Sequence, residues 1–144
     1  MIFLDTDHIT VLQRRSELAY TILRTQLQSF PPEDVGTTIV TVQEQLRGWS
    51  AVIHQAKSLD HEVFAYQQLY GLLNFFASIP IALFDRSAAA GVTRLRAARL
   101  RVGAMDLRIA AIALAHDALL LSRNVRDFMR IPDLRVEDWT QARE

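Results

Sequence analysis

The chain begins Met1-Ile2-Phe3-Leu4-Asp5-Thr6-Asp7. Ile2-Phe3-Leu4 is short and wholly apolar, which predicts a strand covered on both faces. Two carboxylates follow at once. A helical pattern then runs to about Leu27, with a break near Ser16. Residues 35–40, β-branched and rich in threonine, predict a second strand. Helical pattern resumes at Val42 and reaches about Phe76, with a break near residues 58–60. Residues 81–84, after Pro80, predict a third strand. Residues 87–101 predict a helix with Ala88, Val92, Leu95, Ala98 and Val102 on one face. Residues 106–116 predict another helix, 118–121 a fourth strand and 134–136 a fifth. Short strands alternating with helices imply an α/β fold around a mostly parallel sheet of four or five strands.

The 144 residues suit one domain, 1–144. There is no cysteine, which excludes a disulfide framework, a zinc finger, an iron–sulfur site and a cysteine nucleophile. Sixteen basic residues balance sixteen acidic ones, so no uniform field draws the chain to nucleic acid or to a membrane. A polyanion would have to be met by a local patch or by a metal. Fifteen of the sixteen basic residues are arginine, Lys57 being the exception. Arginine suits planar recognition of phosphate, although a GC-rich genome produces the same bias. The longest apolar run, 109–115, is far short of the roughly 20 residues of a membrane span. The start of the chain lacks the basic residues of a signal peptide, so the expected compartment is the cytoplasm.

Ligands of open parallel sheets bind beyond the carboxyl ends of the strands. Asp5 and Asp7 follow the first predicted strand, Thr41 and Glu44 the second, Asp85 the third, and Ser122, Asn124 and Asp127 the fourth. Asp106 opens the helix before the fourth strand. Two carboxylates about 4 Å apart repel by ~4 kcal/mol at an effective dielectric near 20. A hard divalent cation removes that cost, and magnesium takes oxygen ligands and retains water. The chemistry such a site offers is phosphodiester hydrolysis. Each acid also has a structural explanation. Asp5 could cap a helix, Asp106 could complement a helix dipole, and Thr41-Val42-Gln43-Glu44 reads as a capping box. The spacing of Asp7 and Asp85 forces neither inward.

His54 and His61 lie about 10.5 Å apart along a continuous helix and cannot share one ion there. His116 suits a helix C-terminus. Arg94, Arg96, Arg99 and Arg101 form either a solvated helix face or a rim that tracks phosphates.

These residues resemble the PIN-domain ribonucleases of the VapC toxin type, over nearly the whole chain. Ile2-Phe3-Leu4-Asp5-Thr6-Asp7 is similar to the family's opening, with Asp7 where Asn is frequent. Thr41-Val42-Gln43-Glu44-Gln45-Leu46-Arg47-Gly48 resembles its second motif. Gly103-Ala104-Met105-Asp106-Leu107-Arg108-Ile109-Ala110-Ala111 is the most specific match. Ser122-Arg123-Asn124-Val125-Arg126-Asp127-Phe128 resembles the fourth. The resemblance implies a three-layer α/β/α PIN-like fold. It implies a metal-dependent endoribonuclease using magnesium, or manganese in its place, held by Asp5, Glu44, Asp106 and Asp127. Ser122 and Asn124 are expected as supporting polar contacts. It further implies structured RNA such as tRNA or rRNA as substrate, a homodimer, and a VapB-type antitoxin as partner. Phe64, Tyr66, Tyr70, Phe75 and Phe76 crowd the middle helices and suggest an apolar groove for that partner.

Two other enzymes fit parts of the pattern. Asp5-Thr6-Asp7 mimics the nucleophile motif of haloacid-dehalogenase-like phosphatases, and the successive acids mimic a phospho-receiver domain. Both need a lysine at a later strand end, where this chain has none. The remaining alternative is a PIN-fold interaction module without catalysis.

Overall fold

The structure is a computed structural model and describes residues 1–15 and 17–142. Strand β1 (Ile2–Leu4) leads into helix α1 (Thr6–Arg14) and helix α2 (Leu18–Leu27). The break expected at Ser16 lies outside the described residues. Pro32–Asp34 forms one 3-10 turn before β2 (Val35–Thr38). Helices α3 (Ile39–Gln55) and α4 (Leu59–Ala77) follow, then β3 (Ile81–Ala82). Helices α5 (Arg86–Ala97) and α6 (Ala104–Ala115) precede β4 (Leu119–Leu121), and α7 (Val125–Phe128) precedes β5 (Arg135–Glu137).

The five strands form one sheet in the order β3-β2-β1-β4-β5, every pair parallel. Successive side chains of a strand point to opposite faces, and β1 shows the consequence. Phe3 joins a core with α5, α6 and α7, whereas Ile2 and Leu4 join a second core with α1, α2 and α4. This is the expected α/β/α arrangement, with an apolar layer on each side of the sheet.

Several boundaries differ from the sequence reading. The second strand stops at Thr38, because the Thr38 hydroxyl accepts the backbone N–H of Thr41 and starts α3. The β-branched residues Ile39 and Val40 are thereby taken into a helix, where Val40 packs into the core. Thr38, not Thr41, is the N-cap, so the capping box expected at residues 41–44 is absent and Glu44 is free for another role. The third strand has two residues instead of four, since its partner β2 ends opposite Ala82. Helix α5 ends at Ala97, leaving Ala98 exposed instead of on the buried face. The fourth strand starts one residue later than expected and the fifth is displaced by one. Helix α7 has four residues, too short for its periodicity to show in the sequence. No helix among the described residues is long and apolar enough to cross a membrane.

Gly36 in β2 is required by a close approach. A Cβ there would stand 2.4 Å from the carbonyl oxygen of Pro80, whose backbone also accepts the Thr37 N–H. Gly48 in α3 has open space around it. Gly36→Ala is expected to cost about 2 kcal/mol by overpacking against backbone. Gly48→Ala is expected to gain up to about 1 kcal/mol from helix propensity. Urea unfolding of the two variants beside the parent checks the opposite signs.

Candidate active site

Asp5 is the first residue beyond β1, and Ser122 the first beyond β4. These two strands pair in register, Leu4 opposite Leu121, and the strand order reverses between them. Their carboxyl ends therefore open the crevice at the topological switch point. Asp5 is only 7 % exposed. One carboxylate oxygen accepts the Thr6 N–H at 2.8 Å, and the other accepts the Ser122 hydroxyl at 2.9 Å. Ser122 Oγ accepts the Asn124 N–H at 3.0 Å. Both expected supporting residues thus contribute, but Asn124 does so through its backbone. Burial pushes the Asp5 carboxyl up to about 6, helped by the charges of Asp7 and Glu44 and opposed by the bonds from Thr6 and Ser122.

Thr6 also reaches across to α3, where its hydroxyl donates to Glu44 Oε2 at 3.1 Å. The Gln45 amide donates to the Thr6 carbonyl, so α1 and α3 are joined at this corner. Burial raises the Glu44 pKa. The Thr6 bond opposes this, the Asp106 charge adds to it and Arg47 lowers it. Asp106 lies in the first turn of α6, and its pKa is raised by burial and then by the charge of Asp127. Asp5, Glu44, Asp106 and Asp127 therefore form a row in which each acid feels the next. Asp127 ends the row on α7, 3.4 Å from the Arg130 guanidinium.

Asp7 and Asp85 stand outside that row. Asp85 caps α5 by accepting the Ala88 N–H at 2.9 Å. Asp7 accepts the Arg123 N–H at 3.0 Å through one oxygen and meets His8 Nδ1 at 2.6 Å through the other. His8, fully buried, was not singled out from the sequence. Its Nε2 accepts the Trp139 N–H at 3.1 Å, which places the proton on Nδ1 and lets it donate to Asp7. Arg123 Nε donates to Thr140 Oγ1, and Thr140 donates to Asp138. The loop carrying Ser122 is thus tied to α1 and to the end of the chain. The available signal was spacing: His8 stands three and four residues before Val11 and Leu12, on the inward stripe of α1.

The side chains able to face a ligand are carboxylates and hydroxyls, a donor set that suits a hard cation. Among the described residues no group of three or more His, Asp or Glu is already arranged to hold a metal ion directly. An ion held there would have to keep several waters and take only one or two carboxylates directly, as magnesium does.

No family model matches the chain. Over 40 residues it is 48 % identical to "Ribonuclease VapC1" of Haemophilus influenzae (strain R2866), covering 28 % of this chain and 30 % of the relative. Over 69 residues it is 33 % identical to "tRNA(fMet)-specific endonuclease VapC" of Salmonella typhimurium, covering 45 % of this chain and 52 % of the relative. The matched segments thus span about a third to a half of the curated relatives' own length. The structural match is far longer. A chain of the VapBC-1 structure from nontypeable Haemophilus influenzae superposes with a TM-score of 0.76, at 22 % identity, over 98 % of this chain and all of that one. The chain has a VapC-type PIN fold. The acidic row described above lies where this fold, like other parallel sheets, opens its crevice.

The raised Asp5 pKa makes stability depend on pH. Between about pH 4 and pH 6 the native state holds a proton that the unfolded chain, with a pKa of 3.8, has released. Stability is greatest below that window and falls as the pH rises through 6, by up to about 3 kcal/mol. Asp5→Asn is expected to remove this fall and raise metal-free stability at pH 7 by about 1–2 kcal/mol, less than the full amount because the Ser122 contact is altered. Thermal melts in EDTA from pH 4.5 to 8 measure it. A difference between variant and parent that does not change with pH would contradict the assignment.

Proposed function

We propose that this chain is a metal-dependent endoribonuclease of the VapC type, the toxin of a type II toxin–antitoxin pair, acting on structured RNA in the cytoplasm. The row Asp5, Glu44, Asp106 and Asp127 carries the reading. Three of these acids have pKa values raised by burial and by one another at the carboxyl edge of the sheet, an arrangement unfavourable to the fold. The names of the curated relatives, a ribonuclease and a tRNA(fMet)-specific endonuclease, support RNA as substrate.

Asp5, Glu44 and Asp106 would hold magnesium or manganese, with Asp127 joining through solvent. When bound, such an ion polarises a phosphodiester and lowers the pKa of a water. The chain's own contribution is position. Thr6 and Ser122 fix both oxygens of Asp5, and Thr6 fixes one oxygen of Glu44. Among the described residues none donates a hydrogen bond to Asp106, whose oxygens are left to orient the attacking water and receive its proton. The phosphatase and receiver readings lose support on two counts. Asp7 is turned to His8 and Arg123. Lys57 lies beyond the far end of α3, a helix of 17 residues and so about 25 Å long.

Helix α4 supports the partner reading. Ala65, Leu72 and Phe76 are buried along one stripe, while Val63, Phe64, Tyr66, Tyr70 and Leu73 are exposed, Tyr70 at 68 %. The five aromatics expected to form a groove therefore divide, Phe76 and the half-buried Phe75 packing against the core and Phe64, Tyr66 and Tyr70 facing outward. An apolar face of this kind suits an amphipathic segment of a VapB-type antitoxin. A homodimer belongs to the same reading.

Asp106→Asn keeps the shape of the side chain and removes its charge. Cleavage of total RNA with added manganese is expected to fall at least about a hundredfold. The metal-free melting temperature should stay level or rise, since one of a row of like charges is gone. An active Asp106→Asn protein would overturn the mechanism. For the partner, hydrogen exchange with the candidate antitoxin, the product of a short neighbouring reading frame, should show protection across residues 63–76. Protection confined to other elements would remove α4 from the interface.

A further inference from the structure

The chain is neutral as a whole, but its charge is unevenly placed. Residues 86–130 carry nine arginines and three acids, and two of those acids, Asp106 and Asp127, belong to the row. Helices α5, α6 and α7 of this stretch pack on one side of the sheet, in the core that includes Phe3. A neutral chain can meet a polyanion only through a local patch, and this stretch supplies one.

Two of these arginines are fixed beside the row itself. Arg130 follows α7, and its Nη1 donates to the Arg101 carbonyl at 2.7 Å and lies 3.4 Å from Asp127 Oδ1. A single guanidinium nitrogen therefore joins the loop between α5 and α6 to the last acid of the row. Asp127 in turn stands close enough to Asp106 for its charge to raise the pKa of that carboxyl. The Arg130 side chain is 41 % exposed, and its Nε and Nη2 have no partner among the described residues. The Arg101 side chain is exposed and, among the described residues, makes neither hydrogen bond nor ion pair. Arg108 and Arg123 are engaged elsewhere. Arg108 stands over the Phe84 ring, 6.0 Å from its centroid, and donates to the Ala104 carbonyl, while Arg123 donates to Thr140. An ion pair as exposed as that of Arg130 with Asp127 contributes little, so it does not withhold the guanidinium from another anion. Planar forks with free N–H groups suit the oxygens of a phosphate.

We propose that Arg101 and Arg130 form a phosphate clamp for the RNA substrate, holding one backbone phosphate beside the cleaved bond at the Asp127 end of the row. The inference rests on the nuclease reading above and deepens it by naming where the strand is gripped. The clamp also offsets the repulsion that a polyanion meets on approaching several carboxylates. An acidic segment of a protein partner is the less favoured occupant, because it would bring further carboxylates to the row with no phosphodiester for the site to act on.

The test uses the whole chain with manganese and a labelled oligoribonucleotide that the parent protein cleaves. Arg101→Gln is expected to raise KM roughly fivefold at low salt, with kcat changed less than about twofold, and to lower the slope of log KM against log salt by about 0.7. Its melting temperature should not move, since the side chain touches nothing else. Arg130→Lys keeps a cation beside Asp127 but loses the fork, and should raise KM in the same way. Arg86→Gln, at the other end of α5 and roughly 16 Å along the helix from Ala97, should leave KM unchanged. A neutral methylphosphonate at one phosphate flanking the cleaved bond should weaken the parent by the same factor and add little in Arg101→Gln. Cleavage by the parent with KM and salt slope unaltered in Arg101→Gln and Arg130→Lys would overturn the clamp and leave the nuclease reading intact. An equal rise of KM in Arg86→Gln would reduce the effect to net charge and overturn it too. A lower kcat in Arg130→Lys at unchanged KM would make Arg130 a positioning residue for Asp127 instead. No cleavage of any RNA by the parent would remove the nuclease reading and the clamp together. Unaltered RNA kinetics with weaker binding of the candidate antitoxin to Arg101→Gln would give the two arginines to an acidic segment of that partner and overturn the proposal.

Discussion

The pairing of β1 with β4 is the constraint on which the rest depends. It sets Leu4 against Leu121 and so delivers Asp5 and Ser122 to the same level at the point where the sheet changes direction. The hydroxyl of Ser122 and the N–H of Thr6 then hold the two oxygens of one carboxylate. A slip of one residue in either strand would turn every side chain to the opposite face and exchange the two cores. Phe3 lies on one side of the sheet and Leu4 on the other, and that division makes such a slip costly.

Around this point the structure keeps charge in places that weaken it. Asp5 is buried, and Glu44 and Asp106 are pressed toward their neutral forms by burial and by neighbouring acids. Hydrogen bonds offset part of this cost at Asp5 and Glu44, and among the described residues none offsets it at Asp106. The stabilising polar network lies one step back. Asp7, His8, Trp139, Asp138, Thr140 and Arg123 join the first helix, the fourth strand's loop and the chain end. Two aspartates two residues apart thus take different parts: one is buried at the carboxyl end of the sheet, the other is consumed in holding the frame.

The carboxylate row was legible because each acid follows a strand or opens a helix that the sequence pattern reveals. Glu44 shows how such a reading resolves. In the sequence its spacing from Thr41 matches a cap, and only the real cap at Thr38 releases it for the site. The part His8 plays was not legible, since the partner of its second ring nitrogen, Trp139, lies more than a hundred positions away. The juxtaposition of Phe84 and Arg108 is equally non-local: one residue follows β3 and the other sits on α6.

By itself the sequence determined the kinds and order of elements, the two-sided burial of the sheet and the identity of the acids at its carboxyl edge. These follow from local periodicity and from what stands next to what along the chain. Tertiary structure alone decided the strand order, the exact start of α3 and the end of β3, the division of the α4 aromatics between core and surface, and which of the two opening aspartates faces the crevice. Those depend on register and on pairings between distant residues, where the energy of a hydrogen bond or a packed face is shared by two segments and written in neither.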